Sequence, residues 1–147
     1  MKSITFILGI SLIFCLNSCS QDFNKISDSE VNKENLQIAQ DFAINYLTKL
    51  KNGEYYQFED EAIDALKNQL TEENQKAVYQ QLKDKFGDFK SLEYSETWDQ
   101  GKSSSIQIFR FKSDFEDSKK KLEVRVVLDN SKKIAGFWIK PWSDMLK

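Results

Sequence analysis

The chain has 147 residues, 30% of them charged, with a formal net charge of −2 and a single proline. So mild an acidity leaves no basic stripe for a phosphate backbone, and no nucleic-acid partner is expected. Histidine is absent and both cysteines precede residue 20, which removes Ser-His-Asp triads, Cys-His pairs and zinc sites built from either residue. Neither a cofactor nor a metal is expected.

The first element is a leader. Lys2 supplies a positive start and Ile4 to Leu16 an apolar run of 13 residues, long enough for a secretory signal and too short to span a bilayer. It ends in Leu16-Asn17-Ser18-Cys19, which resembles the lipobox of bacterial lipoproteins. The resemblance implies removal of residues 1–18 as a signal peptide and acylation of Cys19 as the new N-terminus. The protein would then be lipid-anchored in the cell envelope, with the outer membrane as the expected address. Ordinary cleavage after Ser18, releasing the protein, is the alternative. The remaining 129 residues carry no further cysteine and suit one domain.

Residues 19–31 read as a lipidated tether, polar apart from Phe23, Ile26 and Val31. The domain proper is expected over 32–147. Asn32 to Asn52 predicts a first helix, with Leu36, Ala39, Ala43, Tyr46, Leu47 and Leu50 on one stripe. A weaker helix is expected from about Tyr56 to Asn68. Thr71 then reads as an N-cap, opening a third helix that Gly87 closes.

After Gly87 the period falls to two. Leu92, Tyr94, Glu96 and Trp98 are expected on one face of a strand, followed by a turn at Gln100-Gly101-Lys102-Ser103. Ile106 to Phe115 forms a second strand, and Asp117-Ser118-Lys119-Lys120 a loop. Leu122 to Leu128 and Ile134 to Ile139 complete the set. Short connections favour an antiparallel meander. The expected class is α+β: three N-terminal helices packed on a curled four-stranded antiparallel sheet.

Residues 33–142 resemble a nuclear transport factor 2-like domain, and more narrowly the domain of unknown function 3887 family. The resemblance is carried by Leu50-Lys51-Asn52-Gly53-Glu54-Tyr55, Leu70-Thr71-Glu72-Glu73, Phe86-Gly87-Asp88-Phe89 and Lys133 to Pro141. It implies a cone-shaped fold enclosing a cavity, and it implies no activity.

Within such a cavity the candidate ligand-binding residues are Tyr46, Tyr56, Trp98, Arg110 and Trp138. Aromatic side chains at these spacings serve either as core or as pocket wall. Arg110 and Arg125 stand alone against 19 lysines. Arg125 is expected to pair across strands with Glu96 or Glu123; Arg110 is the better candidate for a carboxylate or phosphate clamp. No catalytic residue is assigned. The functional expectation is an envelope lipoprotein whose domain binds an envelope protein or a small apolar ligand, with homodimerisation through the sheet face as a further possibility. The alternatives are an isomerase- or hydratase-type enzyme using a carboxylate and a Tyr, and an inhibitor or immunity-type lipoprotein.

Overall fold

The computed structural model describes residues 23–101, 106–117, 119 and 121–146. The leader, Cys19 and parts of two expected turns (Lys102 and Ser103; Ser118 and Lys120) lie outside the described residues.

Helix α1 spans Lys33–Lys51 and opens where the Asn32 side chain accepts from the Asn35 N–H at 3.0 Å. That bond satisfies one of the orphan donors of the first turn. Its buried stripe is Ala39, Phe42, Ala43, Tyr46, Leu47 and Leu50. Helix α3, Glu72–Phe86, begins at the expected cap, with Thr71 Oγ1 accepting from Asn74 at 3.3 Å. Gly87 ends it in the left-handed region (φ +75°), where a Cβ would also press within 2.8 Å of the Glu116 Cβ. Only glycine suits both conditions.

Helix α2 is shorter than its sequence suggests, Asp64–Gln69 rather than 56–68. Two interactions hold the preceding stretch out of helix. The Gln75 side chain accepts from Tyr56 N–H (2.8 Å) and donates to Tyr56 O (3.0 Å). Ile134 N–H donates to Glu61 O (2.7 Å), and Ile63 N–H to Ile134 O (3.1 Å). Tertiary bonds thus claim the backbone groups that a helix would need.

The sheet has five antiparallel strands, not four, in the order β1 (Asn24–Ile26), β2 (Phe89–Asp99), β3 (Ile106–Phe115), β4 (Leu122–Asp129) and β5 (Ile134–Pro141). The added strand comes from the stretch read as tether: Asn24, Lys25 and Ile26 pair with Asp99, Trp98 and Thr97. Val31, also in that stretch, joins the core. The class remains α+β.

One face of the sheet packs on the helices through Leu92, Tyr94, Phe109, Phe111, Val124, Val126 and Phe137. The expectation that Leu92, Tyr94, Glu96 and Trp98 share a face fails at a register shift between Tyr94 and Glu96. An extra residue there reverses the alternation. Thr97 therefore turns inward opposite Phe109, while Glu96 and Trp98 turn outward opposite Arg110 and Ile108.

Candidate functional site

An apolar cavity of about 280 Å³ lies where the three helices meet β5. Tyr46, Leu47 and Leu50 of α1 form its floor, Ala65 and Leu66 of α2 one wall, and Val78, Tyr79 and Leu82 of α3 another. The remaining wall is the consecutive run Ala135 to Lys140 of β5. Side chains of alternate residues point to opposite faces of a strand. Six consecutive wall residues therefore mean that the cavity runs along the strand's edge. Lys140 is the only charged residue on the wall.

Two tyrosines bring hydroxyls to this wall, beside Gln69 and Lys140. Tyr79 is fully engaged: its hydroxyl donates to Asp88 Oδ1 (3.1 Å) and accepts from the Phe89 N–H (3.2 Å). Burial, helped by the Asp88 carboxylate and opposed by the Phe89 N–H, pushes its pKa up to about 12. Tyr46 is buried within a ring cluster with Phe42, Tyr56, Phe58 and Phe137, its centroid 4.7 Å from that of Phe137. Its hydroxyl makes no hydrogen bond to any described residue, and burial raises its pKa well above the usual phenol value. It is a neutral phenol with a donor to spare.

The opposite face of the sheet carries the charges. Arg110 is 0% exposed. Its Nε and Nη2 donate to the two oxygens of Glu123 (3.0 and 2.8 Å), and its Nη1 donates to Glu96 Oε1. Lys25 pairs with the other Glu96 oxygen at 2.7 Å, and Arg125 Nε donates to Glu123 Oε1 at 2.7 Å. Lys140 Nζ lies 4.0 Å from Glu123 Oε2, so the chain of charges touches all five strands. The C-terminal segment covers its centre: the Trp142 ring lies 4.4 Å from the Arg110 guanidinium, and Ser143 O accepts from Arg110 Nη2.

Burial works against both carboxylates, yet their partners win. The Lys25 and Arg110 partners, with the nearby Trp98 N–H dipole, hold Glu96 below the usual carboxylate range. The Arg110 hydrogen bond and the Arg125 charge do the same for Glu123. The Trp98 Nε1 is buried without an acceptor in hydrogen-bond geometry, although its dipole still favours the Glu96 carboxylate.

The five sequence candidates therefore separate. Tyr46 stands in the cavity floor and Trp138 in its β5 wall. Tyr56 borders a shallower groove with Tyr55, Phe58 and Gln75. Trp98 and Arg110 lie on the far face, where Arg110 spends its donors within the protein. The cavity residues of α2 and α3 were unmarked in the sequence, and their apolar spacing was legible only as core. Cys19 lies outside the described residues. Among the described residues no helix is long and apolar enough to cross a membrane, and no three His, Cys, Asp or Glu side chains are placed to share a metal ion.

A family model described as protein of unknown function (DUF3887) matches residues 43–137, more than half of the chain, and the chain belongs to that family. The match takes in α1 from Ala43, both shorter helices and the sheet from β2 as far as Phe137, leaving β1 outside it. No curated protein and no solved structure matches it.

Proposed function

We propose that this member of the DUF3887 family is an envelope lipoprotein, acylated on Cys19 and held at the outer membrane, whose domain binds its ligand without transforming it. The carrying observation is the chemistry of the cavity: about 280 Å³ of largely apolar space with no carboxylate on its wall. This is near the lower end of the ~300–1,000 Å³ typical of small-molecule sites. An isomerase of the expected kind needs a buried Asp or Glu facing a Tyr. The buried carboxylates here, Glu96 and Glu123, stand on the other side of the sheet in ion pairs, which favours binding over catalysis.

The lipobox quartet supports the anchor, and helices followed by a curled sheet around a cavity support the nuclear transport factor 2-like resemblance. Asn24, where β1 begins, is only five residues from Cys19. Extended chain of that length reaches about 17 Å, so a lipid on Cys19 would hold the β1 edge close to the membrane surface.

Titration with 11-(dansylamino)undecanoate tests the cavity. Saturable fluorescence enhancement is expected, and it should be lost in Ala65→Trp, which fills the mouth from an exposed position of α2. Equal enhancement in both proteins would remove the cavity as the site. Cys19→Ala should leave the detergent phase in phase partitioning; if it stays there, the lipid reading is wrong.

A further inference from the structure

We propose that the occupant of the cavity is an extended polypeptide segment of another molecule, added as a sixth strand along the free edge of β5. This inference rests on the binding reading above and names the class of partner. The decisive feature is the backbone. β5 ends the strand order, and beyond its bonds to Glu61 and Ile63 at Ile134, the outward N–H and C=O groups of residues 135–139 meet no described donor or acceptor. Those same residues border the cavity. A lipid tail entering there would bury the row unpaired, at a cost for every group covered. A strand satisfies the row and sends every second side chain into the apolar space.

Chain length excludes the protein's own N-terminus once it is processed. Residue 23 adjoins β1, at the opposite edge of the sheet. Four inter-strand spacings, about 19 Å, separate β1 from β5. If the chain begins at Cys19, the four residues before Phe23 reach at most about 14 Å.

A second folded copy is disfavoured by devices that blunt the edge. A bulge follows Ile134, where the register shifts between Val127 and Leu128, and Pro141 ends the strand. Gly136 to Pro141 keep regular register, and since Pro141 has no N–H, Gly136 to Lys140 are left to pair, with α2 and α3 standing beside them. Bulges and prolines of this kind guard edges against sheet-to-sheet pairing, while five residues suffice for a short peptide. The wall is largely apolar, and the ammonium of Lys140 turns to Glu123 on the other face, so the complementary peptide is apolar at alternate positions.

Panning a phage library of random nonapeptides on the full chain, with Ala65→Trp as the counter-target, tests this. Enriched sequences should show apolar residues at i, i+2 and i+4. A synthetic peptide of the enriched sequence should protect the amides of 136–140 from hydrogen exchange. Methylation of one alternate set of its backbone N–H groups should weaken binding at least tenfold. Absence of enrichment, absence of amide protection, or indifference to both sets of N-methylation overturns the proposal. If 11-(dansylamino)undecanoate binds the wild type and not Ala65→Trp while no peptide is enriched, the cavity survives as a site and strand addition fails. If neither binds, both readings fall.

Discussion

Glu123→Leu is the sharpest probe of the charged face, because Glu123 is the hub on which two arginines converge. The side chain is 0% exposed and accepts from Arg110 Nε, Arg110 Nη2 and Arg125 Nε within 3.0 Å. Removing it leaves Arg110 buried with Glu96 as its remaining anionic partner. Breaking one side of a buried pair costs about 3–5 kcal/mol. The Trp142–Ser143 segment stands over Arg110, and water admitted there would soften the penalty, so the lower figure of about 3 kcal/mol applies. For a domain of this size that is a fall of roughly 12 °C in melting temperature. Urea unfolding at pH 7 of wild type, Glu123→Leu, Arg110→Met and the double variant closes a double-mutant cycle. The double variant should recover at least half of the summed losses, since Glu96 keeps Lys25 at 2.7 Å and apolar replacements of a buried pair are often neutral. A loss below about 1 kcal/mol in Glu123→Leu, or a coupling energy near zero, would refute the claim that this network is closed and buried.

The same network sets the response to acid. Glu96 and Glu123 are held below the unfolded value of 4.5, so their contribution is complete above that pH and is lost as pH falls through the lowered native values. Unfolding free energy should be level near neutrality and drop below about pH 4.5, with a shallower acid limb in the double variant; identical acid limbs would count against the assignment. Gly136→Ala places a Cβ against the Trp138 indole. The ring is half-buried and can swing outward, so a loss of about 1–2 kcal/mol with red-shifted tryptophan emission is expected, and unchanged emission would disprove the contact. Tyr46→Phe should change stability by less than about 0.5 kcal/mol, because its hydroxyl holds no partner, whereas Tyr79→Phe should cost about 1 kcal/mol. Chemical denaturation of the pair decides it, and the reverse order would show that the Tyr46 hydroxyl is already engaged.

What the chain discloses by itself tracks how local each signal is. The cap at Thr71 and the stop at Gly87 act within a few residues, and both stand where the sequence places them. β1 was missed because Asn24-Lys25-Ile26 is too short for a period, and pairing with β2 alone makes it a strand. The extra residue between Tyr94 and Glu96 leaves no mark in composition, yet it moves Glu96 and Trp98 to the other face. The shortened α2 answers to Ile134 and Gln75, both remote in sequence. The candidate site follows the same rule. Tyr46 and Trp138 could be named as large aromatic residues at face positions, but nothing local says which face holds the cavity. Arg110 looked like an open clamp because its partners Glu96 and Glu123 lie 14 and 13 positions away.

The path of the last residues ties the two faces together. A chain leaving β5 could have folded back along its own edge and closed it. Instead Pro141, which offers no N–H to a further strand partner, is followed by Trp142, whose N–H bonds to Lys121 O just before β4. The segment then crosses the charged face, where the Trp142 ring lies 4.4 Å from the Arg110 guanidinium and 4.7 Å from the Lys112 ammonium. Trp142 and Ser143 are thereby committed to shielding the ion pairs. The edge of β5 is left to whatever strand comes from outside, and shielding the charges and keeping the edge open are two consequences of one turn at Pro141.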